Sequence, residues 1–179
     1  MAKKSSYQSK QPDAKGRIGY SVAENTVWRD LYARQEALLP GRVCDEFLAG
    51  LRALDLPRNR VPQLSEVDAA LNAASGFGIE AVPALISPES FFALLADRKF
   101  PVATFIRRRE DFDYLQEPDV FHEIFGHCPM LANPTLANFI QRYGEMALGA
   151  EKSYQWMLQR LFWFTVEFGL IETPEGLRI

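Results

Sequence analysis

Apolar positions return every three or four residues along most of this chain, the spacing of a helix with one buried face. In ENTVWRDLYARQEALL, Val27, Trp28, Leu31, Tyr32, Leu38 and Leu39 keep close to that period. Asn25 or Thr26 is placed to cap this helix, and Pro40 with Gly41 to end it. RVCDEFLAGLRALDL repeats the pattern through Val43, Phe47, Leu48, Leu51 and Leu54, and Pro57 and Pro62 break it. Ser65 followed by Asp68 resembles a capping box for a short helix to about Ala74, which GFG at 76–78 stops. VPALI at 82–86 reads as a short extended segment. Ser87 then caps a helix with Pro88 at its first position. FPVATFIR is rich in β-branched and aromatic residues and reads as a strand. Two more helices are predicted over 134–148 and 151–168. The expected fold is mainly α: a single helical domain over 21–179 with a few short strands.

Composition narrows the class without changing that picture. The chain has 179 residues, 47% of them hydrophobic, with thirteen phenylalanines, enough for one well-filled core. A net charge of −3 argues against a nucleic-acid partner, which selects for a strongly basic face. No apolar run approaches the roughly 18 residues of a membrane span. The opening MAKKSSYQSKQPDAKGR lacks the apolar stretch of a secretory signal, and residues 1–20 read as a disordered, solvated tail. Cys44 and Cys128 are too few for a disulfide framework and point to a reducing, cytoplasmic setting.

The chemistry concentrates in PDVFHEIFGHCPML, residues 118–131. It holds His122 and His127, the two histidines of the whole chain. Zinc proteases space their paired histidines four apart, on one helix face. Five steps along a regular helix turn by about 140°, so these imidazoles would point apart unless the helix ends or distorts between them. Gly126 and Pro129 suit an ending, with His127 just past it. Two histidines do not complete a metal site. Glu167 in LFWFTVEFGLI is the one charged residue between Arg160 and Glu172, and a carboxylate in so apolar a run is costly unless a cation or hydrogen bonds compensate. Two imidazoles and one carboxylate make the facial triad of non-haem Fe(II) oxygenases. Glu167 can instead pair with Arg160 or Arg142. Cys128 can be a thiolate ligand or a small packed residue. Phe162, Trp163, Phe164 and Phe168 read most simply as core.

PDVFHEIFGHCPML followed by WFTVEFGLI, together with FPVATFIR, YLQEPDVFHEIFGH and VWRDLYARQ, resembles the pterin-dependent aromatic amino acid hydroxylases in their bacterial form, from about residue 20 onward. The resemblance implies Fe(II) held by His122, His127 and Glu167, with a tetrahydropterin as cosubstrate. It implies a catalytic role for Glu123, a carboxylate that contacts the pterin through water. It implies Phe91 stacked on the pterin ring, though Phe91 also reads as a core residue on an amphipathic helix. Arg107 would bind the substrate carboxylate, a task suited to its paired donors. Trp163 and Phe168 would wall the pocket for the substrate ring. The implied reaction is hydroxylation of L-phenylalanine to L-tyrosine with O2, by a monomer. Tryptophan or tyrosine hydroxylation on the same scaffold is the nearest alternative, and a non-catalytic helical metal-binding or interaction module the more distant one. The family domain continues past TPEGLRI into further pocket wall, so its C-terminal part is expected to be absent from these residues.

Overall fold

The computed structural model describes residues 7–83 and 85–179. Among them the fold is mainly α, as the periodicity predicts. Helix α1 (Val22–Leu38) starts earlier than expected because its cap is Ser21, not Asn25 or Thr26. The Ser21 hydroxyl accepts from the Glu24 N–H, and the Glu24 carboxylate accepts from the Ser21 N–H. Asn25 is used elsewhere: its side-chain oxygen accepts from the Val61 N–H. Helix α2 spans Asp45–Leu54, and α3 spans Leu64–Ser75. The capping box of α3 is Gln63 with Glu66, two residues before the predicted Ser65 and Asp68. Asp68 instead accepts from the Ile79 N–H at 2.9 Å and anchors the first strand. Gly76 ends α3 at φ 72°, a left-handed conformation that glycine tolerates best.

Strand β1 (Gly78–Val82) lies mostly ahead of the VPALI segment and shares only Val82 with it; Ala84 lies outside the described residues. It pairs in parallel with β2 (Lys99–Ala103), Ile79 opposite Phe100. Helix α4 (Pro88–Ala96) forms the crossover between them, capped by Ser87 with Pro88 at its first position. Further along come α5 (Cys128–Leu131), α6 (Pro134–Gly149), α7 (Lys152–Phe162) and a hairpin of β3 (Ile171–Thr173) with β4 (Gly176–Arg178).

One apolar cluster joins these elements apart from the β3–β4 hairpin. Trp28, Leu71, Phe77, Phe92, Ile124 and Ile140 are fully buried within it. Trp28 keeps its indole N–H satisfied by donating to the Pro57 carbonyl at 2.8 Å. Helix α6 lies close against α4 because residue 144 is glycine: a Cβ there would fall 2.6 Å from the Ala96 nitrogen and 2.7 Å from the Phe92 carbonyl oxygen. Both obstacles are backbone and cannot rotate away. Gly144→Ala is therefore expected to cost about 1–3 kcal/mol, the usual range for overpacking, and to lower the melting temperature by several degrees in a thermal scan.

The N-terminal stretch differs from the expected disordered tail. Residues 1–6 lie outside the described residues, but 7–20 run along the body. Ile18 is buried, and its N–H donates to the Gln63 side chain at 2.8 Å. The Lys10 N–H donates to the Thr104 hydroxyl, and the Tyr20 hydroxyl donates to the Thr104 carbonyl. Polar composition conceals this because backbone groups and two apolar side chains, Ile18 and Tyr20, make the attachment. Among the described residues no helix is long and apolar enough to cross a membrane.

Candidate metal centre

His122 and His127 converge, by a route different from the predicted helix stop. The chain does not end a helix at Gly126, whose φ is not positive. It widens into a π-helix over His122–His127 and passes directly into α5. In a π-turn each carbonyl bonds five residues ahead rather than four, which brings positions five apart onto one face. The two Nε2 atoms end 3.1 Å from one another.

The third donor is delivered the same way. Helix α7 runs into a second π-turn, Trp163–Glu167, closed by the Phe168 N–H donating to the Trp163 carbonyl at 3.0 Å. Glu167 Oε2 then lies 3.2 Å from His127 Nε2 and 3.7 Å from His122 Nε2. Glu167 thus meets both histidines rather than Arg160 or Arg142. Cys128 is fully buried, and its thiol donates to the Glu123 carbonyl, the arrangement of a packed residue. Burial pushes that thiol far above its usual range, which disfavours a thiolate ligand.

Two carboxylates face this cluster, and their environments drive them apart. Glu123 is buried, and its ligand atoms and those of both histidines lie within 4.8 Å of one another. Burial, followed by the charges of Glu167 and Asp119, raises its carboxyl well above the ordinary value. Burial also works to raise Glu167, but hydrogen bonds with His122 and His127 outweigh it and hold the group well below the carboxylate range. A metal ligand must be deprotonated. Of the two, Glu167 lies against both imidazoles and is shifted toward the ionised form a ligand needs, while Glu123 is shifted the other way. Two imidazoles and an ionised carboxylate fit a divalent iron-type ion by donor chemistry. The His122 side chain is 43% exposed, against 11% for His127, so the cluster opens to solvent on the His122 side.

Arg107 has a partner that sequence reasoning overlooked. Asp119 is completely buried, and Arg107 donates to it through its backbone N–H, Nε and Nη2 at 2.8–2.9 Å. The same carboxylate accepts from the His122 backbone N–H at 3.0 Å, capping the helical run that carries the histidines. One buried group thereby ties Arg107 to the first histidine. With Nε and Nη2 occupied, a bound carboxylate would meet the Nη1 side of the guanidinium. The signal for Asp119 is its place three residues before His122, directly after a proline, where an N-cap belongs.

The other predicted residues surround the cluster at different depths. Phe91 is half-buried, edge-on to Phe92 at 5.6 Å and to Phe162 at 5.3 Å, at the margin of the core. Trp163 and Phe168 open and close the second π-turn, 6.0 Å apart, and both are exposed rather than core. Phe164 is likewise exposed, and of that aromatic run Phe162 alone is buried. Phe100 lies 5.1 Å from the His127 ring and helps hold it in place.

The family model for biopterin-dependent aromatic amino acid hydroxylases matches residues 1–179. The chain belongs to that family. It is 51% identical over 177 residues to the phenylalanine-4-hydroxylase of Pseudomonas aeruginosa, covering 99% of this chain and 68% of that hydroxylase. The apo structure of the cold-active phenylalanine hydroxylase from Colwellia psychrerythraea superposes with a TM-score of 0.94 at 54% identity, covering 97% of this chain and 66% of that one. The Chromobacterium violaceum phenylalanine hydroxylase with bound iron(III) and oxidised cofactor 7,8-dihydrobiopterin superposes with a TM-score of 0.88 at 48% identity, covering 95% and 62%. The chain thus spans about two thirds of each of these hydroxylases.

Proposed function

We propose that this hydroxylase chain holds Fe(II) through His122, His127 and Glu167 and serves as the iron-bearing part of a phenylalanine 4-monooxygenase. The reaction is hydroxylation of L-phenylalanine to L-tyrosine with O2 and a tetrahydropterin. The observation that carries this reading is the meeting of the Glu167 carboxylate with both Nε2 atoms, on two π-turns from distant parts of the chain. All three donors come from one copy, so a monomer suffices. Both cysteines are unpaired, in keeping with a cytoplasmic setting.

When bound, Fe(II) and the tetrahydropterin supply the electrons that activate O2, which does not attack a closed-shell benzene ring unaided. The remaining work falls to the chain's own residues. Both imidazoles turn Nε2 inward, and an ion bound there would leave each ring its proton on Nδ1. Glu167 offers the single negative charge. Glu123 lies beside the histidines with its carboxyl shifted toward the neutral form by burial, and is the second polar group available on the pterin side. Arg107, immobilised by Asp119, presents its free edge to the amino acid carboxylate. Trp163 and Phe168 flank Glu167 and offer apolar surface to the substrate ring, and Phe91 offers a flat face for the pterin.

The structural-module alternative fares worse: a structural metal site is normally closed off by protein ligands, and this cluster stays open at His122. Incubation of the chain with Fe(II), a tetrahydropterin and O2 is expected to convert L-phenylalanine to L-tyrosine, followed by amino acid chromatography. Preferential conversion of tryptophan or tyrosine would reassign the substrate. Tight iron binding with no amino acid oxidised would reduce the chain to a metal-binding module.

A further inference from the structure

Pro129 takes no part in the chemistry above, yet it sits inside one continuous helical run. Residues 120 and 121 are α-helical, His122–His127 are π-helical, and Cys128–Leu131 return to α. Inside a helix, proline lacks the N–H that the carbonyl four residues back would accept, and its ring presses on that carbonyl. For Pro129 the carbonyl is that of Phe125, in the middle of the π-turn. A widened turn just before the proline relieves both problems. Neighbouring groups hold this arrangement. The buried Cys128 thiol donates to the Glu123 carbonyl, five residues back. Pro129 is buried, and its own carbonyl oxygen lies only 1.8 Å from where a Cβ on Gly50 would stand. Helix α2 can seat against the proline only because residue 50 has no side chain.

We infer that Pro129, seated against Gly50, is a positioning residue of the metal centre: it keeps the helix in the wide register in which His122 and His127 share a face. In an α register the five-step spacing would turn the imidazoles about 140° apart. The inference rests on the metal-centre reading and adds the element that makes an unusual histidine spacing work.

The test is a titration of the metal-free chain with Co(II), read by visible d–d absorption, alongside thermal melts without metal. Pro129→Ala and Pro129→Ser each restore the missing N–H. Wild type is expected to take up one Co(II). Both variants are expected to melt, metal-free, at or above the wild-type temperature, because a helix-disfavouring residue has gone. Their Co(II) affinity is expected to fall at least about tenfold, a loss of the size seen when groups behind metal ligands are altered, and their absorption bands to shift as one imidazole leaves. Variants that bind within twofold of wild type with superimposable bands overturn the inference. So do variants that melt far below wild type, which would make Pro129 a structural prop. A wild-type chain that takes up no Co(II) removes the metal-centre reading and the inference with it, so the two failures are distinguishable.

Discussion

Glu167→Ala is expected to strip the chain of its metal. Two imidazoles remain, His122 already more than a third exposed, with no anion to offset the charge of a divalent ion. Changes to groups behind metal ligands cost about 10–100-fold in affinity, and removal of a charged ligand should exceed that range. Metal content by mass spectrometry after gel filtration, with calorimetric titration, measures the effect. Glu123→Gln is the matched comparison. It keeps the shape of the second carboxylate, whose surroundings already favour its neutral form, and should retain metal. If Glu123→Gln empties the site and Glu167→Ala does not, the carboxylates have been assigned the wrong way round.

Asp119→Ala should produce the largest loss of stability. It removes one partner of a buried pair and leaves Arg107, with a side chain only 12% exposed, without its counter-charge. Breaking such a pair from one side costs about 3–5 kcal/mol. For a chain of this length that corresponds to a fall in melting temperature on the order of 10 °C. The same change removes the acceptor for the His122 N–H, so metal affinity should fall together with stability. Far-ultraviolet circular dichroism melts with and without Co(II) separate the two effects. A drop below about 2 °C would mean that the pair is no more valuable than an ordinary surface contact.

How much of this was readable from residue types depends on how local each signal is. The meeting of His122, His127 and Glu167 is legible because histidine is scarce here and because Glu167 interrupts an apolar run that would not otherwise hold a charge. Helices α2, α4 and α6 are legible from their period, and α4 also from its Ser87–Pro88 start. The π-turns are not. Hydrophobic periodicity averages over several turns, and a single widened turn changes it too little to notice. The glycine and proline beside His127 read as a stop, whereas the chain widens into a π-turn and continues into α5. Asp119 escapes notice because its value comes from Arg107, twelve positions away and brought near only by the fold. The stretch over 7–20 is polar in composition, and its attachment through backbone hydrogen bonds leaves little trace in residue type.

The two π-turns also govern how this centre could be moved. A designer who copies only His122, His127 and Glu167 onto straight, regular helices would obtain imidazoles on diverging faces and no cavity between them. A transplant must either carry both widened segments with the backbones that support them, or shorten the histidine interval by one residue so that a standard helical pitch aligns the pair.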